Sequence, residues 1–92
     1  MERAQVERAL QSVGKRVFIE HFGDFGDLNL SVGEVADRLS RSFTLKARST
    51  RASHVRRIFV AGLERDALSL IVESRRVSQD IRDRAEELLG QS

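Results

Sequence analysis

The sequence predicts an all-α fold, a compact bundle of four to five helices that contains a helix-turn-helix-like unit. Three observations predict it. Proline is absent, and proline breaks helix interiors. Apolar residues recur at steps of three and four along most of the chain. Hydroxyl side chains stand just ahead of these periodic stretches, where helix N-caps belong. Ninety-two residues support one core, so residues 1–92 are expected to form a single helical domain.

The first helix is expected from about Arg3 to Phe22. Val6, Ala9, Leu10, Val13 and Val17 fall on one face. Beyond Val17 the apolar arc widens to take in Phe18, Ile19, Phe22 and Phe25. Gly23-Asp24-Phe25-Gly26-Asp27 is expected to end this helix, with glycines free to take left-handed conformations. Ser31-Val32-Gly33-Glu34 reads as a capping box. Val32, Val35, Ala36, Leu39 and Phe43 then form the core face of a short second helix.

Thr44 to Ser53 is the least regular stretch, with Ser49, Thr50 and Ser53 as candidate caps of a third helix. In that helix Val55, Ile58, Phe59, Gly62 and Leu63 form the apolar stripe, with Gly62 read as a close-packing position inside it. Ala67, Leu68, Leu70, Ile71 and Val72 predict a central, buried fourth helix, either separate from the third or continuous with it. Ser78 caps the last helix, with Asp80 near its positive end. Ile81, Ala85, Leu88 and Leu89 face inward there, and Gly90 closes it.

Composition narrows the chemistry. The chain has no cysteine, tyrosine or tryptophan. Thiol catalysis, zinc knuckles and iron–sulfur centres are thereby excluded. Five phenylalanines are the only candidates for stacking on bases, and most sit at core-like spacings. No apolar run approaches the ~18 residues of a membrane span. The N-terminus lacks the apolar stretch of a signal peptide. The cytoplasm is therefore the expected location.

Charge is unevenly spread. Residues 1–37 carry a net charge of −3, residues 38–57 a net of +7 and residues 58–92 a net of −2. The central block holds Arg38, Arg41, Lys46, Arg48, Arg51, Arg56 and Arg57 without a single acid. Arginine presents a planar fork of donors that matches phosphate. Ser40, Ser42, Thr44, Ser49, Thr50 and Ser53 lie among these bases, and short hydroxyls also contact phosphate backbones.

The block spans the end of one helix, a connection and the start of the next. In outline that resembles a helix-turn-helix, with Val32–Phe43 as support and about Ser49–Leu63 as recognition helix. Arg57 and Val60 point opposite the apolar stripe, with Arg56 and His54 beside them. The candidate nucleic-acid-binding residues are therefore Arg38, Arg41, Lys46, Arg48, Ser49, Thr50, Arg51, His54, Arg56 and Arg57. Two features count against the motif. Its connection exceeds the usual three or four residues, and Glu64 and Asp66 would repel phosphate if they faced it.

The expected function is a small nucleic-acid-binding or regulatory module. Double-stranded DNA is favoured over RNA because exposed aromatics are scarce. The alternative is a protein-interaction or adaptor module, dimeric in one version, that docks an acidic partner through the same face. Ile19 and Val60, both off their stripes, would mark its contact patch if exposed together. A homodimer is compatible with either reading. A purely solvated charged face is the bland explanation.

Other chemistry finds little support. Asp27-x-Asn29-x-Ser31 opens like a calcium loop, but the twelfth position is Arg38 where glutamate is needed. His21, Asp24 and Asp27 lack further ligands, so His21 reads as a core or boundary histidine. No nucleophile, base and orienting group come together. The chain is expected not to be an enzyme, to carry no cofactor or metal, and to have no evident membrane partner or small-molecule substrate.

Overall fold

The computed structural model describes residues 2–91. Seven helices and no strands are found among them. They are α1 (Arg3–Val13), α2 (Lys15–Glu20), α3 (Phe22–Gly26), α4 (Val32–Asp37), α5 (Leu45–Val60), α6 (Glu64–Glu73) and α7 (Gln79–Gly90). The radius of gyration is 12.2 Å, and a folded chain of this length is expected at about 12 Å.

The count exceeds the four to five expected because the first helix is broken twice. Gly14 adopts φ 93°, ψ 127° and stops α1 after Val13. Only glycine takes that conformation cheaply; a Cβ there costs about 1 to 3 kcal/mol. The break re-aims everything that follows. Phe18 becomes fully buried and Ile19 is 5% exposed, while Val17 is only partly buried. A straight helix would have left Ile19 off the core face. His21 makes the second break, as the cap shared by α2 and α3.

The Gly23–Asp27 segment is a further correction. Residues Phe22–Gly26 are helical, and neither Gly23 nor Gly26 has positive φ. Gly26 matters for packing instead, since a Cβ there would sit 3.1 Å from the Phe59 ring. Phe18 is the hub of an aromatic cluster. Its centroid lies 5.5 Å from Phe22, 6.3 Å from Phe25 and 6.0 Å from Phe59. Four of the five phenylalanines thus pack on one another. The fifth, Phe43, is half-buried beneath the Arg51 guanidinium.

The capping box at Ser31 forms as expected. The Glu34 N–H donates to Ser31 Oγ at 3.1 Å, and the Ser31 N–H donates to Glu34 Oε1 at 3.2 Å. Helix α4 ends at Asp37 rather than Phe43. Its core face is Val35 and Ala36, with Leu39 buried just beyond.

Helix α5 starts earlier than expected. Its N-cap is Thr44, whose Oγ1 accepts from the Ala47 N–H at 3.1 Å. Ser49, Thr50 and Ser53 are therefore mid-helix residues and cap nothing. Gly62, with φ 72°, ends this helix and separates it from α6. Its N–H donates to the Phe59 carbonyl and the Leu63 N–H to the Ile58 carbonyl, both at 3.0 Å. These two bonds are a Schellman motif, which needs glycine for its left-handed backbone.

Helix α5 packs against α1, α3, α4 and α6, and α6 packs against α7. Ala67, Leu68 and Ile71 of α6 are buried, with Leu70 and Val72 partly so. At α7 the Ser78 hydroxyl accepts from Arg16 Nη2 at 3.1 Å, which ties α2 to the start of α7. The Asp80 carboxyl is held below its usual range, chiefly by a hydrogen bond with the Ser78 side chain and further by the Arg16 charge. No helix among the described residues is long and apolar enough to cross a membrane.

Candidate nucleic-acid interface

Helix α5 carries five of the seven bases of the central block and no acid. Its inner row is Arg48, Ala52, Val55 and Ile58, all buried. Its outer row is Lys46, Thr50, Ser53 and Arg57, all exposed. The helical period sets this division. It sorts the bases into two groups that the charge count alone could not separate.

One base is buried in the fold and three are paired within it. Arg48 is 9% exposed, and its Nε and Nη1 are shielded with no partner among the described residues. It points into the protein, not toward a ligand, which corrects its place among the surface contacts. Arg51 is half-buried. Its Nε donates to the Val13 carbonyl at 3.3 Å and its Nη1 to the Ala47 carbonyl at 3.4 Å. Its guanidinium carbon lies 4.1 Å from the Phe43 ring centroid, a cation–π contact. Arg51 thus clamps the end of α1 and the α4–α5 connection onto α5. Arg56 Nη2 donates to the Leu30 carbonyl and fixes the turn before α4. Arg38 pairs with Asp24 at 2.8 Å.

Three bases are left outside. Arg41, Lys46 and Arg57 are exposed and have no acidic partner among the described residues. Arg41 lies in the connection between α4 and α5, and Lys46 and Arg57 mark the ends of the outer row. Two placements run against helix electrostatics. Lys46 and Arg48 sit near the positive end of α5, and its first turn holds no acid. Arg57, in the last turn, is favourably placed.

Ser49 is half-buried, whereas Thr50 is exposed. His54 is half-buried, with its Nδ1 shielded and unpartnered among the described residues. Of the two acids that would repel phosphate, Asp66 is exposed and Glu64 is half-buried. Glu64 lines a depression with Phe22, Gly26, Phe59 and Leu88, on the side of α3 and α7.

Folding also recruits residues that the charge block did not contain. Helix α1 lies antiparallel to α5, since Arg51 meets Val13 while Gln5, Arg8 and Ala9 share a groove with His54 and Arg57. That groove has a volume of about 460 Å³. Arg8 is exposed and, like Arg57, has no acidic partner among the described residues. A smaller depression of about 300 Å³ continues along Ser49, Thr50, Ser53, His54 and Arg57.

The contact patch proposed for a protein partner does not form as drawn. Val60 is 70% exposed, but Ile19 is in the core. No metal-holding group of three or more His, Cys, Asp or Glu side chains occurs among the described residues. His21 sits at the α2–α3 junction, 3.8 Å from Asp24 and against the Phe25 ring. No family model, no curated protein and no solved structure matches the chain.

Proposed function

We propose that the protein is a small nucleic-acid-binding module that docks on duplex DNA through the outer row of α5. The observation that carries this reading is the row itself. Lys46, Thr50, Ser53 and Arg57 stand exposed in line, with no acid anywhere in the helix and unpaired cations at both ends. Bases at the positive end of a helix cost a few tenths of a kcal/mol or more. An external anion offsets that cost.

The dimensions suit a major groove. Lys46 and Arg57 are eleven positions apart, about 16 Å along the helix axis. The groove is about 12 Å wide. With the helix seated in that groove, the two cations reach toward backbone phosphates, while Thr50 and Ser53 lie between them facing the base edges. In this reading α4 and α5 act as a helix-turn-helix-like pair. Their connection, residues 38–44, is longer than in the ordinary motif and adds Arg41 as a third backbone contact.

Three phosphate contacts predict a log–log salt slope of about −2.7, or an affinity loss of about 40-fold between about 50 and about 200 mM salt. Titrating labelled duplex with the protein across that range measures the slope. Absence of binding at the low-salt end would remove the proposal. The second reading, a docking surface for an acidic protein, draws on one observation, the 70% exposure of Val60 at the end of the same helix. It requires binding of an acidic protein that weakens on replacement of Val60 as well as of Lys46, whereas duplex binding is expected to depend on Lys46 alone of the two.

A further inference from the structure

We propose that the groove between α1 and α5 is a phosphate-binding site, with Arg8 and Arg57 as its two arms. Its charged walls are both cationic. Arg8 comes from α1 and Arg57 from α5, and no acid lines either this groove or the depression that continues from it. Neither guanidinium has an acidic partner among the described residues. Two like charges held on facing helices repel each other until an anion lies between them.

The remaining polar lining also favours an oxyanion. Gln5 Oε1 is occupied, because it accepts from the Glu2 N–H at 2.7 Å in the cap of α1. Its amide Nε2 is thereby oriented as a donor only. His54 lines both depressions, and its shielded Nδ1 lacks a partner. The hydroxyls of Ser49, Thr50 and Ser53 extend the donor wall beside the shared Arg57. Bidentate guanidinium contacts supply both strength and geometry for phosphate oxygens.

A volume of about 460 Å³ falls in the range of small-ligand pockets. The groove therefore admits a phosphate carried on a free nucleotide as well as one carried on a strand. The inference goes beyond the DNA reading and does not depend on it, although Arg57 serves both.

The test uses the full chain, followed by nuclear magnetic resonance during additions of pyrophosphate, adenosine monophosphate and a short duplex. Millimolar pyrophosphate is expected to give saturable shifts at the Arg8 and Arg57 guanidinium groups, the His54 ring and the Ala9 amide. Arg8→Ala is expected to weaken this about tenfold, the size of one lost charge-assisted contact. Arg8 is exposed and unpaired, so the variant keeps its circular dichroism, while Arg65→Ala leaves the affinity unchanged.

The arms separate the two sources of phosphate. Groove shifts with the free ligands alone support the site as one for a free phosphate, and the DNA reading then stands or falls on whether duplex moves Lys46 and Thr50. Groove shifts with duplex alone support it as a seat for a backbone phosphate. Duplex shifts confined to Lys46 and Thr50, with Arg8 and His54 unmoved by every ligand, overturn the groove and leave the DNA reading standing. An unchanged pyrophosphate affinity in Arg8→Ala overturns it as well.

Discussion

Replacing Arg48 with methionine is expected to raise the stability of the protein by about 1 to 3 kcal/mol, because it removes two shielded donors that lack an acceptor; apolar replacement of buried ion pairs gains as much. Arg48 occupies the inner row of α5 with Ala52, Val55 and Ile58. Its Nε and Nη1 are cut off from water and lack an acceptor among the described residues. Each buried donor left unmade costs about 1 to 3 kcal/mol. Methionine keeps the unbranched stem that fills the space and removes the charge. For a domain of this size each kcal/mol moves the melting temperature by about 4 to 8 °C. Thermal and urea unfolding read the effect. Arg48→Ala is expected to gain less, because it also empties the space of the aliphatic stem. A methionine variant less stable than the parent would mean that the guanidinium has a partner in solution.

The opposite extreme is Phe18. Its ring is fully buried and touches three other rings from α3 and α5. Phe18→Ala is expected to cost about 3 to 5 kcal/mol. A chain of this length has a total stability of about 5 to 14 kcal/mol. The variant would therefore lose a large share of its stability and open the contact between the α2–α3 corner and Phe59. Phe18→Leu retains much of the volume and is expected to cost about 1 kcal/mol. The urea midpoints of the two variants should differ accordingly. Equal midpoints would place the core elsewhere than in the aromatic cluster.

The parts of this fold legible in the sequence were those decided within one helical turn. The Ser31–Glu34 box is one, because both of its hydrogen bonds span three residues. The inner positions Val55 and Ile58 are another, because their period is local. Gly14 was not legible. A glycine within a periodic stretch costs about 1 kcal/mol against alanine whether or not the helix continues. What breaks the helix there is the burial of Phe18 and Ile19, a tertiary gain. The start of α5 was obscured in a different way. Residues 44–53 offer four hydroxyl residues able to cap, and Lys46-Ala47-Arg48 shows no apolar stripe to choose among them.

The candidate site was legible as a charge block and illegible as a surface. Arg48 breaks the rule that charges face water, so the charge block placed it among the surface contacts, although its spacing from Val55 and Ile58 puts it on the inner row. Arg51 and Arg56 find backbone carbonyls far away in sequence, at Val13 and Leu30. Arg8 and Gln5 join the site only because α1 lies along α5, and no one-dimensional pattern records that contact.

The central claim is that the bases of α5 divide into an inner, structural set and an outer set that meets phosphate. The salt dependence of duplex binding, compared among the parent, Lys46→Glu/Arg57→Glu and Arg48→Met, tests it most directly. A slope of about −2.7 in the parent should fall to about −0.9 in the double reversal and stay unchanged in Arg48→Met. Equal slopes in the parent and the double reversal, or a loss in Arg48→Met as large as in the reversal, would contradict the account.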